Sequence, residues 1–232
     1  MALIVRIDVD RPYGKTPFLR HVLSRLGADI YFPHIESFGY LSELKVILQM
    51  LNGAGAKAYI FFRRCTLPSP PVLELIDAGG HEIGLHLENS RSFECFGYEK
   101  SMLERHVGRT VTAVSKHGSG KAKYGFHHYA PYEPDNYIRW AKASGMKVFL
   151  GNLEDPTIPP SEEAAGLRVY PSAFWLEPGW RDTQRFTVQW LLAQANVRDV
   201  VLLMHPDNVL ADPALLGSLE HLLNSLDTRL LE

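Results

Sequence analysis

Cysteine is scarce in this sequence: only Cys65 and Cys95 occur in 232 residues. Two cysteines cannot build the disulfide framework of a small secreted scaffold, and a reducing, cytoplasmic setting is the simplest expectation. An excess of positive charge is missing as well. Lysine and arginine number 24 against 26 aspartates and glutamates, a formal net charge of −2. No basic block stands out, which argues against nucleic acid as a partner. Nor does any apolar stretch approach the ~18 residues of a membrane span, so no membrane insertion is expected. The chain passes from Met1 into a short apolar run that meets charge at Arg6 and Asp8, without the length or cleavage region of a signal peptide. Internal repeats and low-complexity segments are absent too. What remains is an ordinary globular composition, 46% hydrophobic and 22% charged. Its length suits a single domain over residues 1–232.

Against that plain background, four short apolar runs each end in a histidine or a carboxylate. Residues 3–7 lead into Asp8 and Asp10, 83–85 into His86, 111–114 into His117, and 200–204 into His205. Runs of this length, rich in Val, Ile and Leu, read as buried strands. Strands are expected at 3–9, 57–62, 81–86, 110–117, 146–150, 167–170 and 200–204. Helices are expected near 16–26, 41–52, 72–78, 99–107, 134–144, 183–195 and 213–226; the segment 28–32 reads as a short strand or an extended loop, and 155–163 as loop. Such alternation predicts parallel strands with helical crossovers, an α/β fold. About seven strands fit a distorted (β/α) barrel better than a regular eightfold one. In a barrel, titratable side chains at the carboxyl ends of successive strands mark the active-site face.

Several residues then become candidates for chemistry. Asp8 and Asp10 are one residue apart, so in a strand both point to one face. Two such charges are unfavourable together unless a cation or a proton lies between them; the alternative is a pair bound to arginines, with Arg6 and Arg11 at hand. In the segment 80–90, alternation places Glu82, Gly84 and His86 on one side. His86 at the strand end suits a metal ligand, although a lone histidine also serves as a structural residue. The loop 119–134 carries Tyr124, Phe126, His127, His128, Tyr129 and Tyr132, which either stack on a sugar ring or base or simply pack the loop down.

These stretches resemble the motifs of the polysaccharide deacetylase family, metal-dependent carbohydrate esterases with a distorted seven-stranded (β/α) barrel. Asp8-Val9-Asp10 looks like the first motif, whose first aspartate is the catalytic base and whose second binds the metal. Gly80-His81-Glu82-Ile83-Gly84-Leu85-His86 is similar to the run into the second motif, where two histidines four apart ligate zinc or a similar cation. Val201-Leu202-Leu203-Met204-His205-Pro206 is similar to the last motif, whose histidine is the general acid. The resemblance covers nearly the whole chain in order and spacing. It implies a catalytic pair, Asp8 and His205, metal ligands at Asp10 and His86, and a divalent ion, zinc, as cofactor.

The sequence also departs from the family. Ser90 stands four residues beyond His86, where the second metal histidine belongs, and the arginine motif after the fourth strand is replaced by Ser115-Lys116-His117-Gly118-Ser119. By position, His117 is expected to complete the ligand set with Asp10 and His86, and Glu88 is a second candidate. Asp155 either matches a fourth motif that orients the histidine or base, or forms a turn before Pro156. Arg63 and Arg64 either hold an anionic substrate group or are surface charge. Trp175 and Trp180 either wall a sugar pocket or pack in the core. The expected function is a metal-dependent hydrolase that removes an N-acetyl group from an amino sugar, acting on an amide other than a peptide bond. Family analogy links it to O-antigen or other surface-polysaccharide biosynthesis, with a carbohydrate substrate or sugar intermediate as partner. The alternatives are a degenerate relative that binds sugar without hydrolysis, and a hydrolase of the same fold acting on another C–N bond.

Overall fold

Residues 2–10, 40–120, 122–163 and 166–231 are described by a computed structural model, together with residues 18, 19, 22, 23 and 26. The expected helix near 16–26 lies mostly outside the described residues, and the segment 28–32 entirely so. Among the described residues nine strands form one sheet: β1 (Leu3–Val9), β2 (Ala58–Phe62), β3 (Glu82–Leu87), β4 (Ala113–Lys116), β5 (Val148–Leu153), β6 (Ser161–Glu163), β7 (Leu167–Ser172), β8 (Phe174–Trp175) and β9 (Val200–Met204). Between them run α1 (Leu41–Gly53), α2 (Pro70–Gly79), α3 (Phe93–Val107), α4 (Pro134–Ala143) and α5 (Val188–Ala195), with α6 (Pro206–Ala211) and α7 (Pro213–Ser225) at the end.

The strand order is β6-β7-β5-β4-β3-β2-β1-β9-β8, parallel throughout except for the antiparallel pair β6 and β7. Ser172 of β7 pairs with Leu153 on one flank, and Phe174 of β8 pairs with Leu202 on the other. In a flat sheet those flanks would be seven strand spacings apart, roughly 34 Å at about 4.8 Å each. Two residues of chain reach only about 7 Å. The sheet therefore curls round until its flanks meet at Ala173, a half-barrel with all its parallel strands ending on one face. The seven longer strands are those expected from the sequence; β6 and β8, three and two residues long, are too short to leave a pattern.

Alternation along the strands sorts side chains into two cores. Leu3, Val5, Ile7 and Val9 join the helices' Leu44, Ile47 and Ile76 outside the barrel, while Ile4 meets Tyr59, Phe61, Val148, Leu150, Val201 and Leu203 within it. Following the inward parity toward the carboxyl ends gives Arg6 and Asp8 on β1, His86 on β3, Ser115 on β4 and, just past the strands, His117 and His205. Apolar layers thus fill the floor and polar groups its rim. Gly84 sits on the same inward row because no side chain fits: a Cβ there would lie 2.3 Å from the Phe61 ring.

Helix boundaries differ from expectation where caps intervene. The α3 helix starts at Phe93, since the Ser92 side chain accepts the Cys95 N–H, and Gly97 is absorbed in its first turns. The α5 helix waits for the Thr187 cap, whose hydroxyl accepts from Trp190 N–H. Among the described residues no helix is long and apolar enough to cross a membrane.

Candidate metal centre

At the carboxyl end of the sheet, Asp10, His86 and His117 bring three donor atoms together, all three residues buried. Asp10 Oδ2 lies 3.1 Å from His117 Nδ1 and 3.6 Å from His86 Nε2, and the two imidazole nitrogens are 3.3 Å apart. Bonds of about 2.0–2.1 Å to a tetrahedral cation put neighbouring donors about 3.3–3.4 Å apart. The three observed separations bracket that edge, so the donors fit one small divalent ion with a fourth position left over. Their charge states fit as well. Burial works to raise the Asp10 pKa, but the His117 and His86 rings beside it outweigh this and hold it well below the carboxylate range. Burial, reinforced by Arg63, pushes His117 well below the usual imidazole value against the pull of Asp10. An ionised carboxylate and a neutral imidazole are the forms that ligate.

Outer partners aim two of these donors. His86 Nδ1 is bonded to Ser115 Oγ at 2.7 Å, which leaves Nε2 facing the cluster. Asp10 Oδ1 accepts from Arg63 Nη1 at 3.2 Å, turning Oδ2 toward the histidines, and Arg63 Nη2 donates in turn to Glu88. Arg63 is thus buried against carboxylates and is not surface charge. Glu88, the second candidate ligand, is engaged with Arg63 and falls outside the donor cluster. Arg64 lies over the Tyr98 ring.

Asp8 adjoins the cluster, its Oδ2 3.5 Å from His86 Nε2. Its own partner is Arg6, fully buried in the bore of the barrel. Arg6 Nε donates to Asp8 Oδ1 at 2.9 Å and Nη2 to Oδ2 at 2.6 Å. The remaining N–H groups reach Leu150 O, Gly151 O and Asn152 Oδ1 across the bore. All five donors of the guanidinium are satisfied. The two aspartates that alternation puts on one face are each matched by an arginine, Asp8 by Arg6 and Asp10 by Arg63.

His205 approaches from β9, with Nε2 3.7 Å from Asp10 Oδ2. Its Nδ1–H and its backbone N–H both donate to Glu177 Oε1, at 2.8 and 2.9 Å. Burial alone pulls the His205 pKa down; Glu177, with Asp10 and Asp8, reverses this and raises it to about 9. His205 is therefore a protonated imidazolium at neutral pH. Asp155, the residue the fourth-motif reading offered for orienting a histidine, is half-buried away from the cluster and caps a turn by accepting from Thr157. Glu177 does that orienting. Its only sequence signal is its place between Trp175 and Trp180.

A cavity of about 230 Å³ opens over these groups, lined by Asp8, Asp10, His86, His117 and His205 among others. Trp175, Trp180 and Tyr124 contribute aromatic walls and Asn152 and Glu154 polar ones. Trp180 meets the His205 ring edge-on at 5.4 Å. Of the aromatic loop, Tyr124 reaches the cavity, His128 is buried beside His117, and Tyr132 packs down by accepting the Asn152 N–H. Ser90 lies apart from the donors, its hydroxyl 3.3 Å from Tyr137 Oη.

No protein-family model and no curated protein matches the chain. Solved structures do. A chitin deacetylase from the fungal pathogen Colletotrichum lindemuthianum is 10% identical over 98% of this chain and 84% of its own, with a TM-score of 0.51. A CE4 family pseudoenzyme from Bacillus anthracis is 13% identical over 98% of this chain, TM-score 0.48, and the chain spans 62% of that protein's length. The catalytic domain of a peptidoglycan N-acetylglucosamine deacetylase from Eubacterium rectale is 10% identical over 96% of this chain and 82% of its own, TM-score 0.45. The likeness to the chitin deacetylase establishes the fold, the deacetylase-type half-barrel that the sequence resemblance implied.

Proposed function

We propose that this chain is a divergent polysaccharide deacetylase, a metal-dependent hydrolase that removes the N-acetyl group of an amino sugar in surface-polysaccharide biosynthesis, as in O-antigen assembly, in the cytoplasm. The observation that carries this reading is the convergence of Asp10 Oδ2, His86 Nε2 and His117 Nδ1 at separations of 3.1–3.6 Å. Asp10, His86 and His117 hold the cation, zinc in this reading, which when bound polarises the amide carbonyl and lowers the pKa of a water. Asp8, fixed by Arg6, accepts the proton of the attacking water at Oδ2. His205, kept protonated by Glu177, gives its Nε2 proton to the departing nitrogen. Trp175, Trp180 and Tyr124 wall the sugar and exclude bulk water.

Acetate release from N-acetyl amino sugars, set beside small cyclic imides and amides, tests the reaction. Zinc-dependent release from the sugars supports the reading; turnover of the amides alone moves the activity to another C–N bond. One observation favours a second reading, sugar binding without hydrolysis: both oxygens of Asp8 already accept hydrogen bonds from Arg6. Asp8→Asn separates the two. A hydrolase loses about 10²–10⁴ in kcat, the worth of a general base. A binding protein shows no acetate release to lose and keeps its sugar affinity.

A further inference from the structure

The histidine that completes the donor set lacks the usual outer support. A ligating imidazole ordinarily donates its far N–H to an acceptor, which fixes both ring and tautomer. His86 has Ser115 for this, but His117 Nε2 is buried with no hydrogen-bond partner among the described residues. Its ring is held from the backbone and the sides instead. The His117 N–H donates to Leu87 O at 2.9 Å, and its carbonyl accepts from Lys116 Nζ and from His128 Nε2, the latter at 2.8 Å. His128 and Tyr124 stand edge-on to the His117 ring, with centroids 5.0 and 5.5 Å away. The Tyr124 backbone N–H donates to His128 Nδ1 at 3.1 Å, so the His128 proton resides on Nε2 and points at His117. Gly118, at φ +74, leaves this cluster its space: a Cβ there would lie 3.0 Å from the Tyr124 ring and 3.1 Å from His128 Nε2.

We propose that His128, which shares the His117 carbonyl with Lys116, is the positioning residue for His117, and that through Tyr124 it couples the loop 122–132 to occupancy of the metal site. The proposal rests on the ligand role of His117 given above. A bound cation fixes the His117 ring, the ring fixes Tyr124 and His128, and by reciprocity loosening His128 weakens the cation.

Titration of the metal-free protein with Co²⁺, followed by visible absorption, reads the affinity, and hydrogen exchange of the peptide containing Tyr124 reads the loop. In the wild type, Co²⁺ is expected to bind and to slow exchange at Tyr124. In His128→Phe, which keeps a ring but loses both hydrogen bonds, affinity is expected to fall about 10–100-fold, the usual effect of an outer-shell partner, and the slowing to vanish. Unchanged affinity in a folded His128→Phe overturns the proposal. Should that variant not fold, Lys116→Met takes its place: weakened Co²⁺ binding supports the proposal and wild-type affinity overturns it. A wild type that binds no Co²⁺ overturns the ligand reading itself, and this proposal with it.

Discussion

At His205 the surroundings set the charge on the ring. With a pKa raised to about 9, the imidazolium is present through neutral pH and is lost as pH climbs past that value. The same shift contributes stability that is full below the unfolded value near 6.5 and disappears as pH rises through about 9. Glu177→Gln keeps a hydrogen-bond acceptor and removes the charge, so the basic limb of the kcat/KM profile is expected to move to lower pH by about one unit or more. An unmoved limb assigns the limb to another group. Glu177 lies 28 residues from His205, Arg6 reaches backbone 144 and 145 residues away, and Asn152 is 146 residues from Arg6. Such partners are created by closure of the barrel, and local sequence carries no trace of them. Asp8, Asp10, His86, His117 and His205 were legible because each ends an apolar run, a local signal.

At the scale of the element, β3 and β4 explain how a third donor joins Asp10 and His86 without a histidine at position 90. His86 pairs with Ser115 in the ladder, and Leu87 with Lys116. His117 therefore leaves β4 level with the chain just past Leu87 and on the inward parity, while the chain beyond β3 carries Ser90 to Tyr137. The inward row also limits what β3 tolerates. Gly84→Ala forces the Phe61 ring aside and is expected to cost about 1–3 kcal/mol in denaturant unfolding, the range for overpacking a core. Wild-type stability in that variant would show that the ring yields freely. Strand order was not readable from sequence, and neither were β6 and β8, because two or three residues cannot display a period.

At the scale of the whole molecule, closure places buried histidines that stay neutral in the fold. Burial, with Lys57 adding to it, lowers His81 to about 4, and burial with Lys116 lowers His128 to about 3. The unfolded chain takes up these protons near 6.5, so the share of stability these two rings contribute is full above that pH and is lost progressively as pH falls toward 4. Denaturation midpoints are expected to drop between pH 7.5 and 4.5, and His81→Gln to flatten the drop. An identical change in the wild type and in His81→Gln contradicts the neutral assignment of His81. The half-barrel itself was legible from the alternation of strands and helices, since that pattern admits few packings.

The whole account turns on three donors sharing one ion, and equilibrium dialysis against zinc tests it most directly, on the wild type, His117→Ala and Ser90→Ala. The expected result is one zinc per chain in the wild type and in Ser90→Ala, with affinity in His117→Ala reduced by more than the ~100-fold of an outer-shell loss. A wild type without zinc, or a His117→Ala variant that holds it as tightly, would contradict the account.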